Sequence, residues 1–147
     1  MKKLFILSVL AVAFLSSNAL AQRGEFTDSE IYTMELARCD NMYVEQMEAA
    51  VNDKERVQAN YNAVKCYGDL GNKVIDKYYS KSAFDKKANL KNYIDNSYIV
   101  TRDIYEQQDF CTPRCGSLSE VTAKATASDM VRFVVEQYIV AASRNGD

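Results

Sequence analysis

Residues 27–70 read TDSEIYTMELARCDNMYVEQMEAAVNDKERVQANYNAVKCYGDL. Thr27, with Glu30 three residues later, matches the capping box that starts many helices, because each residue can bond the other's free backbone N–H. Asn52 and Asp53 supply a stop and a new cap further along the stretch. Before that stop, apolar residues recur at steps of three and four, as on one face of an amphipathic helix: Tyr32, Leu36, Cys39, Tyr43, Met47 and Ala50. The stretch therefore predicts two consecutive helices joined by a tight connection.

The helical pattern that follows Asn52 contains two glycines, Gly68 and Gly71. Glycine in a helix interior costs about 1 kcal/mol relative to alanine. We therefore expect a bend or break at this point, with a short helical continuation through residues 74–78.

Two further helices are predicted in the second half of the chain. One begins at Ser82 and is ended by Pro113. Ser117 with Glu120 forms a second capping box and opens the last helix, which residues 145–146 stop. No stretch alternates with a period of two for long enough to predict a sheet. Four amphipathic helices with short connections predict an all-α fold, an antiparallel up-and-down four-helix bundle.

The chain has four cysteines: Cys39, Cys66, Cys111 and Cys115. They allow three pairings, and the sequence excludes none of them. Cys39 lies thirteen residues before Asn52, and Cys66 lies thirteen residues after Asp53. In an antiparallel hairpin these positions sit at the same height, because both helices rise about 1.5 Å per residue. This favours a Cys39–Cys66 disulfide and leaves the other two to pair, so that two disulfides pin the bundle. A redox-active pair is the alternative for the last two cysteines, although their spacing is not CxxC.

The N-terminus is organised like a secretory signal peptide. Two lysines precede an apolar run over residues 4–15, and Ala19-Leu20-Ala21 forms a small-x-small cleavage site. The apolar run is short for a membrane span. We therefore expect residues 1–21 to be a signal peptide and residues 22–147 to form a single helical domain, periplasmic or secreted, without stable membrane insertion. Export would place the cysteines in an oxidising compartment, where disulfides form.

Charge is unevenly distributed, although the whole chain has a formal net charge of only −2. Residues 25–55 contain nine acids and two bases, whereas residues 73–91 contain six lysines and two acids. One interpretation is that these are ordinary solvated helix faces. The other is that the acidic first helix steers a cationic partner protein into contact. The candidate partner-binding residues are then Glu35, Glu45 and Glu48.

The composition excludes several classes of activity. The chain has no histidine, so Ser–His and Cys–His nucleophile pairs and histidine-bearing metal sites cannot form. Its five glycines do not have the spacing of a phosphate-binding loop, and its negative net charge argues against a nucleic-acid binder. Two carboxylates could still hydrolyse a substrate by acid–base chemistry, but acids on helix surfaces are usually solvated. We therefore expect no cofactor, no metal and no catalytic residue.

One segment of the third predicted helix resembles a known family. The sequence YIVTRD at residues 98–103 is similar to the aromatic-x-x-x-Arg-Asp segment of LprI-type lysozyme inhibitors. Cys66, and either Tyr78 or Tyr79, lie near the positions where that family has a cysteine and a tyrosine. The resemblance implies a small, exported, cysteine-containing helical protein that inhibits lysozyme.

A second resemblance is to periplasmic immunity proteins, which are also helical domains with disulfides. It is carried by CYG at residues 66–68, CTP at residues 111–113 and the predicted helical segment 129–139. Both families bind and block cell-wall hydrolases. Together with the charge pattern they predict an exported binding protein, an inhibitor of lysozyme or of another cell-wall hydrolase. The alternatives are a non-catalytic envelope assembly or stress factor and, less favoured, a carboxylate-based hydrolase.

Overall fold

The computed structural model describes residues 27–107 and 116–145 of the 147-residue chain. These residues form four α-helices and one short 3₁₀ turn, and none of them lies in a β-strand. The all-α prediction is therefore confirmed for this part of the chain. The elements are α1 (Asp28–Ala49), α2 (Asp53–Tyr78), the 3₁₀ turn (Ser80–Ser82), α3 (Ala83–Gln107) and α4 (Gly116–Asn145).

Local capping signals start α1 and α2 where the sequence predicts. At α1, the Thr27 hydroxyl accepts a hydrogen bond from the Glu30 backbone N–H at 3.3 Å, and the Thr27 N–H donates to Glu30 Oε2 at 2.8 Å. At α2, the Asn52 side-chain oxygen accepts from the Glu55 N–H at 3.0 Å. These bonds satisfy N–H groups that have no partner within the first helical turn. Both predicted starts are confirmed.

The start of α3 and the end of α4 lie within one residue of their predicted limits, whereas the predicted end of α3 at Pro113 lies outside the described residues. α3 begins at Ala83, directly after Ser82, and α4 ends at Asn145. α4 begins at Gly116, one residue before the predicted cap Ser117, a difference typical of helix ends. No described side-chain contact tests the Ser117–Glu120 capping box, which stays a prediction.

α2 runs without interruption past Gly68 and Gly71, so the break predicted there is wrong. Both glycines are buried. A Cβ atom on Gly71 would lie 2.7 Å from Leu90 Cδ2 of α3 and 3.0 Å from Val135 Cγ2 of α4, and one on Gly68 would lie 3.0 Å from Ile94 Cδ1 of α3. The missing side chains therefore let α3 and α4 approach α2 closely. This packing outweighs the propensity cost of about 1 kcal/mol per glycine.

α2 and α4 form the centre of the bundle. They pack against each other, and each also packs against α1 and α3. Within the described chain, α1 and α3 do not pack against each other. The buried core residues are Leu36 and Cys39 from α1, Ala63, Tyr67, Leu70, Val74 and Ile75 from α2, Leu90 from α3, and Val131, Val135, Ile139 and Ala142 from α4.

α1 and α2 form an antiparallel hairpin. Asp28, at the start of α1, is hydrogen-bonded to Tyr78 at the end of α2, and Cys39 is bonded to Cys66 further along both helices. The disulfide has a Cα–Cα distance of 5.8 Å, within the range that a disulfide requires. The predicted Cys39–Cys66 pairing is confirmed.

Two further predictions concern residues outside the described ranges. These are the signal peptide at residues 1–21 and the second disulfide between Cys111 and Cys115. Both stay predictions. Across residues 27–107 and 116–145, no helix is both long enough and apolar enough to cross a membrane.

Candidate functional site

One side of α1 is an exposed stripe whose residues recur at steps of three and four. Its members are Ile31, Met34, Arg38, Asn41, Glu45 and Glu48. Val44, which is 50% exposed, lies beside the two glutamates, and Met34 is 48% exposed. We call these seven residues the outer face of α1. It is apolar toward the start of the helix and acidic toward its end.

The three glutamates predicted to bind a partner do not share one surface. Glu45 and Glu48 lie on the outer face of α1, and neither forms an ion pair with another described residue. Glu35 lies between α1 and α2, where its Oε2 atom is 2.9 Å from Lys73 Nζ. This pairing offsets the charge of Glu35. The antiparallel register set by the disulfide could have indicated the Glu35–Lys73 contact, because it brings these two positions to similar heights.

The acidic segment pairs in part with the lysine-rich segment. Asp28 forms an ion pair with Lys77 and accepts a hydrogen bond from Tyr78 Oη at 2.9 Å. The hydrogen bonds from Lys77 and Tyr78 lower the pKa of Asp28. These contacts attach α1 to α2. They also leave less acidic charge for a partner than the sequence alone suggested.

A polar cluster joins α1, α2 and α4 at the edge of the core. Arg132 of α4 donates two hydrogen bonds to Asp40 of α1, from Nε to Oδ1 and from Nη2 to Oδ2, each 2.8 Å long. Tyr67 Oη of α2 donates to Asp40 Oδ1 at 2.8 Å, and Arg132 Nη1 donates to Glu136 at 3.1 Å. The sequence did not reveal this cluster, because Asp40 and Arg132 are 92 residues apart and no local pattern links them.

The cluster is not poised for acid–base catalysis near neutral pH. Burial raises the pKa of Asp40, but the hydrogen bonds from Arg132 and Tyr67 outweigh it and hold that pKa below its ordinary value. Burial, followed by the hydrogen bond to Asp40, raises the pKa of Tyr67. The carboxylate therefore stays ionised and the phenol stays protonated, so the cluster holds three helices together without transferring protons.

A cleft of about 590 Å³ lies between α2 and α3. Its walls include Tyr61 and Phe84, which are 60% and 86% exposed. Lys91 and Asp95 also line it and pair with each other. A cleft of this size can hold a small molecule. No serine or cysteine is among the described residues that line it.

The segment that resembles LprI-type inhibitors, residues 98–103, lies in the second half of α3. Thr101 is buried and donates a hydrogen bond to the Ala123 carbonyl of α4 at 3.0 Å. Lys124 Nζ lies 3.5 Å from the centre of the Tyr98 ring. These contacts attach α3 to α4. The segment is separate from the outer face of α1, because α1 and α3 do not pack together in the described chain.

The described residues contain no group of three or more cysteine, aspartate or glutamate side chains placed to hold a metal ion. The chain matches no protein-family model, no curated protein and no solved structure. A function for this chain is therefore inferred from its own residues and their arrangement.

Proposed function

We propose that this chain is an exported, non-enzymatic binding protein that uses the outer face of α1 to hold a cationic protein, namely a lysozyme or another cell-wall hydrolase. The observation that carries the proposal is the exposure of Glu45 and Glu48 without an ion-pair partner in the described residues, next to exposed Met34 and Val44. All four side chains are available to a partner without rearrangement of the bundle.

The composition of this face suits a protein interface. Exposed carboxylates raise the association rate of a cationic partner, since attraction acts before the surfaces touch. Methionine and other apolar side chains supply area that is removed from water after contact, and methionine is enriched at interfaces. The outer face of α1 combines both properties on one helix.

The proposal includes the finer architecture predicted from the sequence. In it the helices follow an up-and-down order, Cys111 pairs with Cys115, and residues 1–21 are removed on export to the periplasm or beyond. The competing function is a non-catalytic envelope assembly or stress factor that engages a different protein through the same face.

The test reverses the charge of the two exposed glutamates. We expect the double variant Glu45→Lys/Glu48→Lys to associate with a cationic lysozyme about tenfold more slowly than the wild type at low ionic strength, because most of the steering field is reversed. The difference should shrink as salt is added, since the screening length falls to about 8 Å at physiological ionic strength. Stopped-flow association rates measured at several salt concentrations would show both effects.

The matched control is Asp85→Lys/Glu120→Lys, which makes the same change in net charge at exposed positions on α3 and α4. Its association rate should stay close to that of the wild type. An equal slowing in both variants would show that only overall charge matters and would refute a site on α1. If the wild type binds no lysozyme or other cell-wall hydrolase even at low salt, the inhibitor function is wrong and the envelope-factor alternative replaces it.

A further inference from the structure

Within the described residues, the Cys39–Cys66 disulfide is the only covalent link between α1 and α2 apart from the backbone. Only two side chains of α1, Leu36 and Cys39, are fully buried, whereas α2 contributes nine buried residues. The polar contacts of α1 are partly exposed: Glu35 and Lys73 are 37% and 61% exposed, and Asp40 and Arg132 are 31% and 36% exposed. Exposed ion pairs contribute little to stability. One of the two buried side chains of α1 is therefore half of the Cys39–Cys66 bond, and the other α1 side chains that pack against the core, Tyr32 and Tyr43, are only partly buried.

The disulfide can be reached from solvent. A cavity of about 420 Å³ is lined by both cysteines together with Arg38, Met42 and Lys73. Cys39 is 3% exposed, while Cys66 is only partly buried. Arg38 and Lys73 are balanced there by Glu35 and Asp69, which line the same cavity, so the cavity presents no net charge to repel an incoming thiolate. Of the two residues, Cys66 is thus the more exposed and the one that we take as the target of attack.

We propose that the Cys39–Cys66 disulfide is a redox latch, and that its reduction by a dithiol releases α1 from α2 and α4 while those helices stay folded. A thiolate of the dithiol attacks the Cys66 sulfur and forms a mixed disulfide, and the S–S bond electrons leave with the Cys39 sulfur. The second thiol of the dithiol then displaces the Cys66 sulfur and closes the dithiol's own disulfide. Two electrons pass to the protein, and the two thiol protons end on Cys39 and Cys66.

Loss of the disulfide changes the equilibrium between attached and released α1 by an amount that can be calculated. The disulfide closes a loop between residues 27 positions apart, and by the chain-entropy model such a closure favours the attached state by on the order of 10²–10³-fold. After reduction the only covalent connection between α1 and α2 in the described residues is the backbone at residues 50–52, and the contacts that still oppose release are the polar ones of Asp28, Glu35 and Asp40 together with the packing of Leu36. If the proposed function holds, on which this step rests, the outer face of α1 would be held in place for a partner only in an oxidising compartment.

The test compares hydrogen–deuterium exchange in the wild type, in Cys39→Ser/Cys66→Ser and in Cys111→Ser/Cys115→Ser, all without reductant. We expect α1 peptides of Cys39→Ser/Cys66→Ser to exchange at least about 100-fold faster than in the wild type. Peptides from the middle of α2 and from α4 should keep their protection. The control Cys111→Ser/Cys115→Ser should leave α1 unchanged.

Either of two results would overturn the latch. One is full protection of α1 from exchange without the disulfide. The other is loss of protection in all helices together, which would show that the disulfide stabilises the whole fold and does not hold α1 alone. Treating the wild type with dithiothreitol and alkylating the freed thiols adds a kinetic criterion. Alkylation of Cys66 no faster than exchange of α4 core amides would show that reduction requires global unfolding, against the proposal.

Lysozyme binding by the same variants separates this inference from the proposed function. If α1 is released but the oxidised chain binds no hydrolase, the latch stands and the proposed function fails. If the oxidised chain binds and α1 remains attached after loss of the disulfide, only the latch fails.

Discussion

Replacing Gly71 with alanine tests whether α2 needs this glycine for packing. The new Cβ would lie 2.7 Å from Leu90 Cδ2 and 3.0 Å from Val135 Cγ2. Leu90 is 2% exposed and Val135 is 0% exposed, so neither side chain has solvent into which it can move. Overpacking of this kind costs about 1–3 kcal/mol, and alanine recovers about 1 kcal/mol of helix propensity. With two buried neighbours displaced, we expect an overpacking cost in the upper part of that range, about 2–3 kcal/mol, and therefore a net loss of about 1–2 kcal/mol in the free energy of unfolding.

Gly68→Ala is the matched control, since it makes the same change one turn earlier in α2. Its Cβ would meet one group, Ile94 Cδ1, at 3.0 Å, and Ile94 is only partly buried, so the side-chain end can shift. We expect this variant to be unchanged or stabilised by up to about 1 kcal/mol.

The free energy of unfolding of both variants is measured by urea unfolding with the disulfides intact, followed by far-ultraviolet circular dichroism. A Gly71→Ala variant as stable as Gly68→Ala would refute the packing argument. A double-mutant cycle with Leu90→Ala gives a second check, because contacting residues couple by about 0.5–3 kcal/mol. Additive effects of the two substitutions would show that Gly71 and Leu90 do not compete for space.

Three further predictions address the caps, the polar cluster and the remaining cysteines. Thr27→Ala should lower the free energy of unfolding by about 1 kcal/mol, measured in urea. Asp40→Asn should cost about 1–2 kcal/mol after allowance for partial solvent exposure, because Arg132 loses an ionised partner. Folding lowers the pKa of Asp40. The contribution of Asp40 to the free energy of unfolding is therefore complete above its unfolded pKa of about 3.9, and it disappears as pH falls through the lower folded pKa. A cost of Asp40→Asn that is unchanged at pH 2 would contradict this. A non-reducing digest should recover a peptide with Cys111 linked to Cys115, and either cysteine joined to Cys39 would contradict both the pairing and the hairpin.

The sequence by itself determined the all-α class and the first two helix starts, and it favoured the Cys39–Cys66 pairing. Capping at Thr27 involves residues only three positions apart. The positions of the two cysteines along the helix axes follow from a constant rise per residue, counted outward from the connection between the helices. Such information lies within one helix or one hairpin. It can be read without knowing how the hairpin meets the rest of the chain.

Tertiary structure decided which side chains are exposed to a partner and which are engaged in packing or pairing within the protein. Gly71 looks like a helix breaker in isolation, yet it supplies the space where α3 and α4 meet α2. Glu35 looks equivalent to Glu45 along the sequence, but it pairs with Lys73 of the next helix, while Asp40 is held by Arg132, 92 residues away. The reason is that propensity and periodicity are local, whereas steric room and ion pairing depend on the register between helices distant in the chain.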